Sequence, residues 1–220
     1  MLPSVLTRRR KRRERKMDKM IKKAGAFEII NHWVMAISCI LLAVQGYGFL
    51  FHIEGIGSAF GGFNSMKTLH NYLGIAFSVS LFFSIFMYLK EALTFDSDDI
   101  GWIMVLGGYL SRKVTVPPMG KINTGQKFFY LAVLIFGIGI SASGYVIWLL
   151  PGNKQYILLS HIVHNISFVV LMIAIPAHIY LGTLANPGTL RIMLSGTVPY
   201  QWAKKRHPKW VAEVEGGHKA

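Results

Sequence analysis

Three histidines, His161, His164 and His178, stand in a stretch that contains no Asp, Glu, Lys or Arg: YILLSHIVHNISFVVLMIAIPAHIYLGTLANPGTL, residues 156–190. An uncharged run of this length can cross a bilayer, whose apolar core needs about 20 helical residues. Imidazoles inside such a span are costly unless they have partners, so they are functional candidates by default. His164 and His178 are 14 residues apart. At about 100° per residue they face nearly the same side of a helix, about 21 Å apart along its axis. One imidazole near each end of a membrane helix suggests two stacked metal centres whose remaining ligands lie on other helices.

Composition supports a membrane setting. The chain is 52% hydrophobic and only 15% charged, against about 25% charged residues in soluble domains. Its single cysteine, Cys39, excludes an intrachain disulfide framework, an iron–sulfur cluster of its own and covalent haem attachment through a CxxCH motif. The net charge of +14 raises the question of nucleic acid, but 11 of the 24 Lys and Arg fall in residues 1–25. Basic residues beside membrane spans report orientation or contact with anionic lipid. No nucleic-acid motif accompanies the arm, so the expected surroundings are a lipid bilayer and no nucleic acid.

Four uncharged cores of 18 residues or more predict four transmembrane helices at about 27–52, 66–92, 125–150 and 156 onward. The expected organisation is a basic, mobile arm at 1–25, a four-helix transmembrane domain at 26–190 and a polar, basic tail at 191–220. The first apolar region is long enough to be a retained span rather than the short core of a signal peptide. Between spans lie a Gly-rich loop at 53–65, a connector at 93–124 that reads as a short interfacial helix followed by extended chain, and a turn at 151–154. The arm, the connector and the tail carry 11, 3 and 6 Lys and Arg, while Lys67 and Lys154 flank the opposite loops. The positive-inside rule then puts both termini and the connector in the cytoplasm of a bacterial inner membrane.

This topology gives each histidine a depth. His32 opens the first span and His178 closes the fourth, both near the cytoplasmic face. His70 opens the second span and His161 and His164 open the fourth, all near the opposite face. Two pairs of matched depth emerge, His32 with His178 and His70 with His164 or His161. Two axial imidazoles at one depth on different helices are what an iron porphyrin requires, and neutral ligands suit a low-dielectric interior. Gly46, Gly48, Gly74, Gly137, Gly139 and Gly144 serve close helix packing or clearance for a flat cofactor equally well. His52 reads as an interfacial hydrogen-bonding residue, and His207 and His218 as solvated tail residues. Pro176 stands two residues before His178, where it would help to aim that ring. Proton-relay histidines in a transporter or channel are the competing expectation, and discontinuous helices or inverted repeats would favour it.

Several blocks resemble the membrane cytochrome b subunit of respiratory formate dehydrogenases: His32–Trp33, MKTLHNYLGIAF at 66–77, KINTGQKFFY at 121–130, HNISFVVLMIAIPAHIY at 164–180 and WAKKRHPKW at 202–210. The likeness covers about residues 26–215. Cytochrome b subunits of nickel–iron hydrogenases share the plan and are the nearest alternative. The resemblance implies an all-α four-helix membrane bundle binding two b-type haems, one held by His70 and His164 and the other by His32 and His178. It implies electrons arriving from an iron–sulfur subunit fed by a molybdenum or tungsten catalytic subunit, and leaving to menaquinone or a similar quinone at the cytoplasmic side. This chain would hold none of the formate-oxidising chemistry, although it could house the site of quinone reduction. Asn123, Gly125 and Gln126 match the quinone-site segment of that family. From the residues alone, Asn123 is as readily the N-cap of the third span, with Gln126 a first-turn polar residue.

Overall fold

The computed structural model describes residues 19–111 and 113–217. The basic arm falls mostly outside the described residues, as does His218. The four uncharged stretches are helical: α1 is Ala26–Leu50, and after a short α2 at Glu54–Ala59 come α3 at Phe63–Leu93, α4 at Ser97–Met104, α5 at Thr124–Leu149 and α6 at Lys154–Gly182. Helices α1, α3, α5 and α6 have 25, 31, 26 and 29 residues. At about 1.5 Å rise per residue each exceeds the ~30 Å of a bilayer's hydrocarbon core. Each runs unbroken, α6 with Pro176 inside it, so the discontinuous helices of a transporter are not among the described residues. The loop expected at 53–65 is partly helical, since α2 occupies its centre and α3 starts early.

Two compact units divide the chain. One comprises residues 30–90 and 129–181, the greater part of the four long helices. Large apolar side chains such as Ile37, Phe82, Phe86, Ile135 and Ile173 face outward, the reverse of a water-soluble protein and the pattern that lipid selects. Polar residues turn inward. Asn31, Ser38 and Gln45 recur every seven residues along α1 and are all buried. Asn31 Nδ2 donates to the Ser80 carbonyl at 3.1 Å and to Ser84 Oγ at 2.9 Å, and Ser80 Oγ donates to the Asn31 carbonyl at 2.7 Å. Such bonds tie α1 to α3 where no water is available to satisfy the groups.

Among the described residues, the second unit gathers 19–29, 91–111, 113–128 and 182–217. In it, β1 at Met20–Lys22 pairs antiparallel with β2 at Thr197–Pro199, Ile21 opposite Val198. Around them lie α7 at Leu190–Ser195, α8 at Tyr200–Arg206 and α9 at Pro208–Gly216. Ile21, Ala24, Ile192, Val198, Tyr200, Ala203, Trp210 and Val211 form a small apolar core. The end of the arm and most of the tail are therefore structured against each other. Helix α4 begins on a capping box in which Asp96 accepts from the Asp98 and Asp99 amides and the Asp99 carboxylate accepts from the Asp96 amide. The other Asp99 contacts are buried: Lys127 Nζ lies 2.7 and 2.8 Å from its two oxygens and Thr124 Oγ1 donates at 2.8 Å. Burial alone would raise the Asp99 carboxyl pKa, but the hydrogen bonds from Lys127, the Asp96 amide and Thr124 outweigh it and hold the pKa below the usual value.

His207 corrects the sequence-based expectation of a solvated side chain. It is 3% exposed, its Nδ1 donates to the Gly120 carbonyl at 2.7 Å, and its ring lies beside Trp202 and Trp210. Burial, reinforced by the Lys23 charge, lowers its pKa to about 3. Lys23 is itself buried between the same two indoles, its Nζ 5.4 and 5.0 Å from their centres, and burial lowers its pKa to about 7.

Candidate functional site

Within the four-helix unit the histidines meet in two pairs. The His32 ring in α1 and the His178 ring in α6 are 6.3 Å apart, centre to centre, and the His70 ring in α3 lies 6.4 Å from that of His164 in α6. An imidazole nitrogen about 2 Å from a metal ion places the ring centre about 3 Å from it, so rings sharing one metal stand about 6 Å apart. Both pairs have that separation. His32 Nδ1 and His70 Nδ1 are buried with no hydrogen-bond partner, so neither ring is committed to a protein bond there and both are free to turn a nitrogen toward a bound group. Among the described residues no cluster of three or more His, Cys, Asp or Glu could hold a bare metal ion. Two imidazoles alone suit a metal that brings four equatorial ligands of its own, as haem iron does.

Room for such a group exists at the His70–His164 pair. A cavity of about 820 Å³ is lined by both rings together with Gly46, Gly74, Gly144 and Phe168, within the ~300–1,000 Å³ usual for small-molecule sites. A Cβ on Gly74 would meet nothing within 4 Å, and one on Gly144 would approach His164 at 3.3 Å. These two glycines clear space around the imidazole. Gly48, Gly137 and Gly139 are packing residues instead, since a Cβ there would come within 3.0 Å of Ile56, Leu81 and Ser167 respectively. Close packing and open space therefore both occur, at different glycines.

The surroundings of the rings are unequal. Ser143 Oγ is 3.2 Å from His164 Nδ1. The His178 ring stacks on Phe129 at 4.2 Å and 8°, and His32 meets the edge of Trp33 at 5.5 Å. Phe129 and Ser143 carried no signal in the sequence, one being an aromatic among many and the other a small residue in an apolar span. His161 is exposed and its ring is not among those paired with His70. His52 behaves as an interfacial residue, stacked on Phe63 and 3.3 Å from the Glu54 carboxylate.

The segment at the start of α5 belongs to the other unit. Asn123 and Gln126 form a reciprocal cap: the Gln126 amide N–H donates to Asn123 Oδ1 and the Asn123 amide N–H donates to Gln126 Oε1, each at 2.9 Å. Capping is thus one role of both side chains, and each retains an amide NH2 that this box does not use. Gly125 is where Trp102 packs, since a Cβ there would stand 2.8 Å from the indole.

The profile of the prokaryotic cytochrome b561 family matches residues 23–196. The chain belongs to that family. Membership implies haem b, and with four apolar helices it makes this a multi-pass membrane protein of electron transport. It is 34% identical over 203 residues to the cytochrome b556(fdo) subunit of formate dehydrogenase from Escherichia coli strain K12, a match covering 88% of this chain and 93% of the relative. The cytochrome b556(Fdn) subunit of the nitrate-inducible formate dehydrogenase of the same strain is 29% identical over 205 residues, 90% of this chain and 93% of that one. A formate dehydrogenase cytochrome b556 subunit from Haemophilus influenzae is 25% identical over 198 residues, 84% of this chain and 79% of its own length. The resemblance read from the sequence blocks is borne out.

Proposed function

We propose that this protein is the membrane cytochrome b subunit of a formate dehydrogenase complex and carries electrons across the bacterial inner membrane to a quinone. The observation that supports this most is the pair of imidazole couples, 6.3 and 6.4 Å between ring centres, that share α6 at His164 and His178. His70 and His164 would hold one b-type haem, and His32 and His178 a second. Bound haem supplies reversible one-electron exchange at its iron; the chain supplies the neutral imidazoles, the cleared space at Gly74 and Gly144, and a sheath of apolar side chains that excludes water. The 14-residue spacing within α6 sets His164 and His178 about 21 Å apart along the helix axis.

The excess of Lys and Arg in the arm, connector and tail supports a cytoplasmic location for these segments. The His70–His164 couple is then on the periplasmic side and receives electrons from an iron–sulfur subunit, itself supplied by a molybdenum- or tungsten-dependent catalytic subunit. Electrons leave from the His32–His178 side to menaquinone or a similar quinone, with protons drawn from the cytoplasm. In the segment that the family likeness ties to quinone, Asn123 and Gln126 have amide NH2 groups left over from the cap, which can donate to quinone carbonyls.

The test is to purify the chain with whatever accompanies it and add formate. Reduction of the b-type haem, followed by reoxidation with a menaquinone analogue, is the expected result. Haem that hydrogen reduces and formate does not, with a nickel–iron chain in the preparation, would transfer the protein to a hydrogenase.

A further inference from the structure

We infer that Ser143 is a positioning residue for His164: it accepts the Nδ1 proton and holds the imidazole in the tautomer that leaves Nε2 free to bind iron. This rests on the proposed haem at the His70–His164 couple. Ser143 is 5% exposed, and its Oγ has three neighbours: the Gly139 carbonyl at 2.6 Å, the Ile140 carbonyl at 3.1 Å and His164 Nδ1 at 3.2 Å. A hydroxyl has one proton to give and two lone pairs with which to accept. The Gly139 carbonyl is the nearest acceptor, at 2.6 Å against 3.2 Å to His164 Nδ1, so the hydroxyl proton goes to Gly139. Toward His164 the hydroxyl then presents a lone pair for an Nδ1 proton, and the Ile140 carbonyl is a second acceptor beside that ring. A neutral imidazole has one N–H, and the lone pair is therefore on Nε2.

The accounting fails for the opposite ring, since His70 Nδ1 is buried with no partner. One axial imidazole of this couple is thus fixed by its surroundings and the other is not. A hydrogen bond accepted from the far nitrogen makes a ligating imidazole more basic, which favours the oxidised metal. Ser143 accordingly sets the potential of one haem below what an unsupported pair would give. Gly139 enters through its carbonyl and Gly144 by clearance, since a Cβ there would stand 3.3 Å from the His164 ring. All three lie on the stretch of α5 facing that imidazole.

The simpler alternative is that Ser143 only satisfies its own hydroxyl within the helix, a common habit of serine in apolar helices. Ser38 provides the control, because its Oγ makes the same two backbone bonds, at 2.7 Å to Val34 and 3.1 Å to Met35, with no imidazole bond among the described residues. The experiment is a redox titration of the haem absorbance in the purified complex, together with the haem content after detergent dilution. Ser143→Ala and Ser143→Cys, the latter of similar size and a weak acceptor, move one of two haem transitions to higher potential and lower retention of that haem about tenfold. Ser143→Thr keeps the wild-type value, and Ser38→Ala leaves both transitions in place. If Ser143→Ala and Ser143→Cys leave both transitions unmoved, or Ser38→Ala shifts them equally, Ser143 has no positioning role. A wild-type complex lacking haem would instead remove the functional reading beneath it.

Discussion

The two units of this protein bury opposite kinds of side chain. In the four-helix unit the outside is apolar and the interior holds Asn31, Ser80, Ser143 and Ser167 together with four half-buried imidazoles. In the unit built from the arm, connector and tail, Tyr200, Trp210, Val198 and Val211 are inside, as in a protein that folds in water. The contrast follows from the solvent. Lipid offers no hydrophobic incentive for burying Leu or Phe, so helices associate through small residues and hydrogen bonds, and space between them can be left for a cofactor. The other unit must instead close its own core, with Asp99 and His207 held by hydrogen bonds and the Lys23 ammonium buried against two indoles.

That difference predicts which variants touch haem and which touch stability. The largest effect belongs to the couples. His70→Ala or His164→Ala removes one of two haems, and His32→Ala or His178→Ala removes the other, as read from haem per chain in purified protein; loss of both from any single variant would break the pairing. Gly74→Phe comes next. It fills open space beside His70, so haem content falls toward one per chain while helix content by circular dichroism is kept. His161→Ala, by contrast, leaves both haems, and a loss there would return His161 to the ligand set.

In the other unit, Asp99→Asn leaves the Lys127 ammonium without its buried counter-charge. Breaking such a pair costs about 3 kcal/mol, seen as earlier thermal unfolding at unchanged haem content in folded protein. The smallest effect is on pH dependence. Lys23, beside Lys121 and His207, has its pKa lowered to about 7 in the folded chain, so the unfolded state binds the proton more tightly. Stability from this group therefore rises as pH increases from about 7 toward the ordinary lysine value and is lost below about 7. Lys23→Met flattens that rise, with Trp202 and Trp210 fluorescence as the readout. His207, with a pKa lowered to about 3, adds stability that is present above the ordinary histidine value and fades as pH falls through 3.

The sequence made the bundle legible because each span is uncharged for longer than a bilayer core, and a bilayer turns such a run into a helix whatever its neighbours are. The charges between spans gave each histidine an expected depth, which left His32 with His178 and His70 with either His164 or His161. The choice of His164 over His161 needed the likeness to a family, since a difference of three residues on a helix is small. The pairing of Ile21 with Val198 was out of reach. Three-residue strands carry almost no periodic signal, and the partners stand 177 positions apart. His207 misled for the same reason: its neighbours in sequence are Lys204, Lys205, Arg206 and Lys209, which suggest solvent, while its neighbours in space are two indoles and a carbonyl. Ser143 was invisible because a serine that back-bonds its own helix and one that also holds an imidazole are identical in sequence.

The most direct test of the account is the pyridine haemochrome content of the purified chain, wild type and His70→Ala, alongside its reduced-minus-oxidised spectrum. Two b-type haems per chain falling to one is the predicted result. One haem or none in folded wild-type protein, or two retained in His70→Ala, would contradict it.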